Sequence, residues 1–220
     1  MSFKSIVENK RILLLGPAPH IHDEGIVSDF REYDLVVKIN KMVEKINFDT
    51  EELNQKNDIL YHCLDVNLSN GDVLYSIEEW MKKKVKHLRI THPPVTNYYL
   101  NNIKRFLHLN QKKNIDFSIV EAKDFAELSS ACDTSPNAGT IAIYDLLKQN
   151  PKELSIRGIT FIKGGYIKGY KEDIFYENYN KSKRNHNPDK QLHFFKTLYE
   201  KNKKTITLDK KLHEIVYNLK

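Results

Sequence analysis

Arg11-Ile12-Leu13-Leu14-Leu15, running into Gly16-Pro17-Ala18-Pro19, decides how this chain reads. Neighbouring side chains on a strand point to opposite faces of a sheet, so an unbroken apolar run suits a strand buried on both faces. The small-residue loop after it is where an open α/β sheet places ligands, at the carboxyl ends of its strands. No GxGxxG follows, so the dinucleotide fingerprint is absent.

Working outward, the same alternation repeats. Leu35 to Asn40 reads as the next strand, with polar Asn40 at its exit. Ile59 to Leu64, His87 to Thr91, Phe117 to Val120, Ser155 to Phe161 and the short Thr205 to Leu208 read as further strands. Between them lie helical patterns at Gly25 to Tyr33, Thr50 to Lys56, Asp72 to Lys84 and Tyr98 to Gln111. Val73, Ile77, Trp80 and Met81 mark the core face of one, and Ile103, Phe106 and Leu107 that of another. Helical spacing resumes with Leu192, Phe195 and Leu198, and a last amphipathic helix carries Leu212, Ile215 and Val216. Strands alternating with helices at short intervals predict an α/β fold. We expect a Rossmann-like, mostly parallel sheet with helices on both faces, in a single domain over residues 1–220.

Ser135-Pro136-Asn137-Ala138-Gly139-Thr140, ahead of the apolar run Ile141 to Leu147, is a helix start. Ser, Asn and Pro there are capping chemistry, and Ala138 and Gly139 leave the first turn nearly bare. Unpaired N–H groups and the helix dipole make such an end fit a phosphate or carboxylate. The same signals also begin any capped helix packed on a sheet.

The 220 residues suffice for one α/β domain, and the formal charge of +6 allows an anionic partner. The lysines are dispersed, which suits a solvated surface and a nucleotide-sized anion better than nucleic acid. Cys63 and Cys132 form no CxxC pair and read as buried free thiols. No apolar run reaches the eighteen or so residues of a membrane span. No signal-peptide core opens the sequence, so a soluble, cytoplasmic protein is expected.

Three separated pieces, in order, resemble the sialyltransferases of glycosyltransferase family 29. Leu13-Leu14-Leu15-Gly16-Pro17-Ala18 followed by Asp34-Leu35-Val36-Val37-Lys38-Ile39-Asn40 is similar to the family's large motif. Ser135 to Ala142 is similar to its small motif, Pro-Ser-Ser/Thr-Gly before an apolar helix. His186-Asn187, with Gln191 five residues after the histidine, resembles its very small motif, His-x4-Glu. Tyr170 falls where the third motif begins. The pieces bracket residues 11 to 191. Pro17 stands where many members carry Asn, Lys38 replaces Arg, Asn137 and Ala138 replace a Ser/Thr pair, and Gln191 replaces Glu. The family's disulfide has no counterpart, which fits a reducing compartment. The chain thus resembles a short, soluble, viral or bacterial-like member.

The resemblance implies a variant GT-A fold and a CMP-sugar donor, with transfer from CMP-sialic acid to a galactoside-type glycan hydroxyl by inverting displacement. It implies donor-binding roles for Gly16, Pro17, Ala18, Asn40, Ser135, Asn137, Ala138, Gly139, Thr140 and Tyr170. His186 becomes the general base, since histidine titrates near neutral pH. No Asp-x-Asp metal pair stands out, so no metal or other cofactor is expected. Tyr166, His20, His22 and Asp65 are weaker candidates to face the cleft. Two other readings stay open. One is a transferase using another CMP-keto-acid sugar such as CMP-Kdo, and the other a nucleotide-binding module without turnover. Nucleic-acid binding ranks below both, and the sequence does not give an oligomeric state.

Overall fold

The structure is a computed structural model and describes residues 2–23, 25–65, 75–163, 165–168, 170 and 186–218. Seven strands form one sheet: β1 (Arg11–Leu15), β2 (Leu35–Ile39), β3 (Asn57–His62), β4 (Val85–Ile90), β5 (Asp116–Ile119), β6 (Glu153–Arg157) and β7 (Ile206–Leu208). Their order is β5-β4-β3-β2-β1-β6-β7, and every pairing is parallel. On β1, Leu13 lies opposite Val36 on one side and Ser155 on the other. Ile12, Leu13, Leu14 and Leu15 are all fully buried. Successive strand residues face opposite ways, so both faces of the sheet are covered, as the apolar run requires.

The chain walks outward from β1 through β5, then β6 returns to the other flank of β1. The strand order reverses at the carboxyl ends of β1 and β6, the place where open α/β sheets hold ligands. Around the sheet pack α1 (Phe3–Val7), α2 (Met42–Lys45), α3 (Glu51–Gln55), α4 (Ile77–Lys82), α5 (Asn97–Asn110), α6 (Ala122–Cys132), α7 (Ala138–Lys148), α8 (Pro188–Lys201) and α9 (Lys210–Tyr217). Side-chain caps fix several starts: Thr50, Thr96, Asn137, Asn187 and Asp209 each accept a backbone N–H from the turn they open. A larger core surrounds β1, β2, α7 and α8, and a second gathers Trp80 and Phe106 against Leu60 and Leu88.

Several local expectations change. Gly25 to Tyr33 is no helix: Gly25 sits at φ +82° and the stretch forms turns, with a 3-10 turn at Phe30–Glu32. Met81 and Leu107 are exposed while Trp80, Ile103 and Phe106 are buried, so the core stripes are narrower than the spacing implied. Val73 lies outside the described residues. Helix α6 was not read from the sequence at all. The strand expected over Ser155 to Phe161 ends at Arg157, because Gly158 turns the chain at φ +69°. Cys132 is buried and Cys63 only half-buried.

Two buried polar groups tie the layers together. Asp145 on α7 is fully buried, and its two carboxylate oxygens accept from Arg89 Nε at 2.8 Å and Nη2 at 2.9 Å. The Tyr61 hydroxyl also donates to Asp145, at 2.8 Å. Arg89 on β4 gives a further bond to the Ile119 carbonyl and stacks over the Phe3 ring.

Lys38, in β2, is 2% exposed, and its Nζ donates to the Leu53 carbonyl at 2.7 Å over the Phe48 ring. Burial, helped by the charge of Lys83, lowers its pKa to about 7. An unfolded lysine keeps its proton to near pH 10.4, so between these limits the unfolded state binds more protons and stability rises with pH. The full span amounts to roughly 5 kcal/mol. Lys38→Met should therefore gain stability over the parent most at pH 6, with the gap closing towards pH 10. Urea titrations across that range check it, and a pH-independent gap would refute the buried charge.

Candidate functional site

At the reversal point a small cleft opens to solvent. Pro17 and Ala18 follow β1, Ile39 and Asn40 end β2, and Asn137, Ala138 and Gly139 open α7. Gly158 to Ile162 follow β6, and Tyr166 and Tyr170 complete the wall. Four sequence-distant loops thus meet where the topology directs a ligand. None of these described lining residues is charged.

The floor is a backbone-to-backbone contact. Gly16 donates its N–H to the Arg157 carbonyl at 2.8 Å, and Ala18 donates to the Gly158 carbonyl at 2.9 Å. A Cβ on Gly16 would lie 2.5 Å from the Gly158 carbonyl oxygen, and one on Gly158 2.4 Å from the Gly16 oxygen. Gly16 therefore underlies the cleft and does not line it; its neighbours Pro17 and Ala18 do. Asp209 braces this seam from below. Its carboxylate accepts the Gly158 N–H at 2.7 Å, caps α9 through Leu212 N–H at 2.7 Å and meets His20 Nε2 at 3.0 Å. Burial works to raise the Asp209 pKa, but these bonds outweigh it and hold it below the ordinary value. His20 is thus a partner of the brace, and His22 packs its ring on Phe48.

The α7 start is held from both sides. Asn137 Oδ1 accepts from Thr140 N–H at 2.9 Å and from the Thr140 hydroxyl at 3.1 Å. Gln191 Oε1 accepts from the Asn137 N–H at 3.0 Å and lies nearer the same hydroxyl, at 2.7 Å, whose single proton the two oxygens share. Thr140 is buried and committed to these bonds. The Ala138 and Gly139 N–H groups remain as first-turn donors with no intrahelical acceptor, at the positive end of the helix dipole. Asn40 has φ +46°, tolerable for a short polar side chain, and its Oδ1 accepts the Cys63 N–H at 3.1 Å. Tyr170 is buried; its hydroxyl donates to the Ile39 carbonyl at 3.4 Å, and its ring meets Tyr166 at 5.2 Å.

His186 lies just ahead of α8, partly buried, with Nδ1 2.7 Å from the Ser135 carbonyl. A carbonyl only accepts, so Nδ1 carries the proton and the basic lone pair sits on Nε2. Asn187 N–H donates to Thr134 Oγ1 at 3.2 Å, so the imidazole and the α7 start belong to one tied unit. His186 and Ser135 border this unit and are not lining residues of the cleft. Close by, His92 is buried between Tyr99 and Phe125, and burial with the neighbouring His186 lowers its pKa to about 4. Sequence reasoning missed Gly158 to Ile162. Gly158 alone signalled a turn there, and Phe161 and Ile162 adopt positive φ without glycine. Among the described residues no group of three or more His, Cys, Asp and Glu side chains gathers as metal ligands would. No described helix is long and apolar enough to cross a membrane.

No protein-family model matches the sequence, and no curated protein matches it. Solved structures do match. The sialyltransferase CstII from Campylobacter jejuni, in complex with cytidine-5'-monophosphate, aligns with a TM-score of 0.57 at 13% identity, over 91% of this chain and 80% of that one. The chain has the sialyltransferase fold. Cst-I from the same organism, a monofunctional alpha-2,3-sialyltransferase, aligns with a TM-score of 0.56 at 14% identity, over 94% of this chain and 78% of that one. A mammalian sialyltransferase in complex with Gal-beta-1-3GalNAc-ortho-nitrophenol gives 0.56 at 12%, over 94% and 72%. The likeness spans bacterial and mammalian examples of the sialyltransferase fold. It matches the α/β, GT-A-like architecture expected from the motifs.

Proposed function

We propose that this chain is a sialyltransferase-like glycosyltransferase that moves a sugar from a CMP-activated donor, CMP-sialic acid, to a glycan hydroxyl. The observation that carries the reading is the uncharged cleft at the strand reversal, faced by the α7 N-terminus and tied through Ser135 to His186. CstII complexes with CMP and with a trisaccharide acceptor plus CMP share this fold and support the choice of ligands.

In this reading the Ala138 and Gly139 N–H groups receive the donor sugar's carboxylate. Their dipole supplies the positive field that the lining side chains lack. The Pro17–Ala18 loop, Asn40 and Tyr170 meet the nucleotide. Neutral His186 takes the acceptor hydroxyl proton on Nε2 as the oxygen attacks the anomeric carbon. The bond to the CMP phosphate breaks, and the anomeric configuration inverts in that single displacement. Holding Nδ1–H on the Ser135 carbonyl fixes the tautomer that this step needs. Departure of a nucleoside monophosphate develops less charge than that of a diphosphate, so the reaction proceeds without a metal.

Calorimetric titration with CMP, UDP, GDP and NAD, with chelator present, tests this directly. CMP-selective binding is expected. Preference for another nucleotide, or none bound, would overturn the reading. A methyl group placed on Gly139 would lie 3.3 Å from Asn137 Oδ1 and 3.6 Å from Ile39 Cδ1, inside the cradle. Gly139→Ala should leave the melting temperature close to the parent's, because the helix preference for Ala over Gly, up to about 1 kcal/mol, is set against the crowding of the Asn137 cap oxygen. It should weaken the intact CMP-sugar donor, whose carboxylate this helix start receives, at least about tenfold, the equivalent of 1.4 kcal/mol, and leave CMP itself within about twofold. Unchanged donor affinity in that variant would move the sugar carboxylate away from the helix start.

A further inference from the structure

We propose that the contact between Glu44 and Trp80 is a proton-operated catch that seats α2 and, with it, the Asn40 edge of the cleft. Its bearing on ligand binding rests on the nucleotide reading above; the catch itself does not. Helix α2 opens at Lys41, the residue after cleft-lining Asn40. It is four residues long, so its place is set by packing more than by its own hydrogen bonds. Met42 and Val43 are buried in the two cores, and the helix lies against α4, where Trp80 is fully buried. The Trp80 indole N–H donates to Glu44 Oε1. Asn40 in turn donates its N–H to the Tyr61 carbonyl at 2.7 Å, and its side chain accepts the Cys63 N–H. A shift of α2 therefore pulls on a residue of the cleft wall through the chain itself.

The surroundings favour the uncharged acid. Glu44 Oε2 is buried and, among the described residues, has no hydrogen-bond partner. Tyr75 stacks on the indole at 5.1 Å, and its own buried hydroxyl has no partner among the described residues either. His62 of β3 packs on the indole from another side, also at 5.1 Å. Arg105 of α5 acts on Tyr75. Glu78 and Glu79 of α4 pair with Lys113 and Lys82. Lys38 of β2, under the influence of Lys83, gives its ammonium to the Leu53 carbonyl. Lys41 and Lys45, beside Glu44 in the chain, and the indole bond favour its charge, but burial outweighs them and raises its pKa to about 7. A carboxylate formed there has one indole N–H for two oxygens, so it is drawn out to water and lifts α2 from Trp80. An unfolded glutamate loses its proton near pH 4.3, so from there to about pH 7 the folded state binds more protons. The catch's contribution to stability is whole below the first value, shrinks as the pH rises and is gone above the second.

Trp80 is the chain's single tryptophan, so its fluorescence reads the catch directly. In the parent the emission should step to longer wavelength around pH 7; in Glu44→Gln, which stays neutral, that step should vanish. Urea titrations should show Glu44→Gln gaining stability relative to the parent from pH 5 to pH 8. Hydrogen exchange at the Asn40 and Cys63 amides, corrected for the intrinsic effect of pH, should quicken at least about threefold between pH 6 and pH 8 in the parent alone. Calorimetry with CMP should give parent and variant the same Kd within about twofold at pH 6, and a parent at least about threefold weaker at pH 8. An emission step that persists in Glu44→Gln belongs to a neighbour such as His62 and overturns the catch. A step that vanishes in the variant, with amide exchange and CMP affinity the same in both proteins, overturns the coupling to the cleft and the proposal with it. If the parent binds no CMP at either pH, the nucleotide reading falls, and emission with amide exchange still decides the catch.

Discussion

His186→Ala should lower transfer about 10²- to 10⁴-fold, the usual worth of a general base, while CMP binds as before. The split is expected because His186 is not a lining residue of the cleft; its tie is to the Ser135 carbonyl. A loss of CMP affinity in parallel with rate would make His186 a structural pin of the helix start. An unchanged rate would remove it from the mechanism. His186→Gln separates the cases further, because its amide can still donate to the carbonyl but has no basic nitrogen. It should stay as inactive as the alanine variant and melt closer to the parent. Measuring initial rates and CMP calorimetry on the same preparations decides between these outcomes.

The largest expected loss of stability is at Asp145. Asp145→Ala leaves the Arg89 guanidinium in the sheet without its bidentate partner and strips the Tyr61 hydroxyl of its acceptor. Breaking one side of a buried ion pair costs about 3–5 kcal/mol, mostly from the uncompensated charge left behind. Urea unfolding should show that loss. The paired change Arg89→Met with Asp145→Leu should recover much of it, since an apolar pair of similar volume leaves no orphaned charge. If the single variant loses under about 1 kcal/mol, water has reached the guanidinium and the pair is not buried as described. Asp145 also stands two turns below the α7 start, so a surviving variant should bind the CMP-sugar donor more weakly than the parent.

What could be read in the sequence, and what could not, follows from where the physical cause lies. β1 was legible because burial on both faces writes itself as an unbroken apolar run, and β2 because only Lys38 interrupts its own. The α7 start was legible because Asn137 caps it within the same turn. The wall beyond β6 was hidden, since Phe161 and Ile162 take left-handed conformations that neither residue type announces. Helix α6 begins at Glu121 without a side-chain cap, and its apolar stripe is thinned by Ser, Ala and Lys, so its periodicity is faint. Arg89 and Asp145 are 56 residues apart, and His186 and Ser135 are 51 apart. No local pattern links such pairs; only the packed sheet does. The motifs put Gly16 among the donor-binding residues; what only the structure adds is that its missing Cβ lets two loops touch.

That touching seam has a consequence for divergence. Where a ligand is met by main-chain N–H groups and by loops pressed backbone to backbone, most side chains nearby are free to drift. The demand falls on very few positions, such as the glycines at 16 and 158, whose Cβ atoms would collide with the opposite strand's carbonyl. Recognition written in the main chain leaves little trace in the alphabet of residues. A site of this kind can keep its shape long after its sequence has ceased to resemble that of any other protein with the same shape.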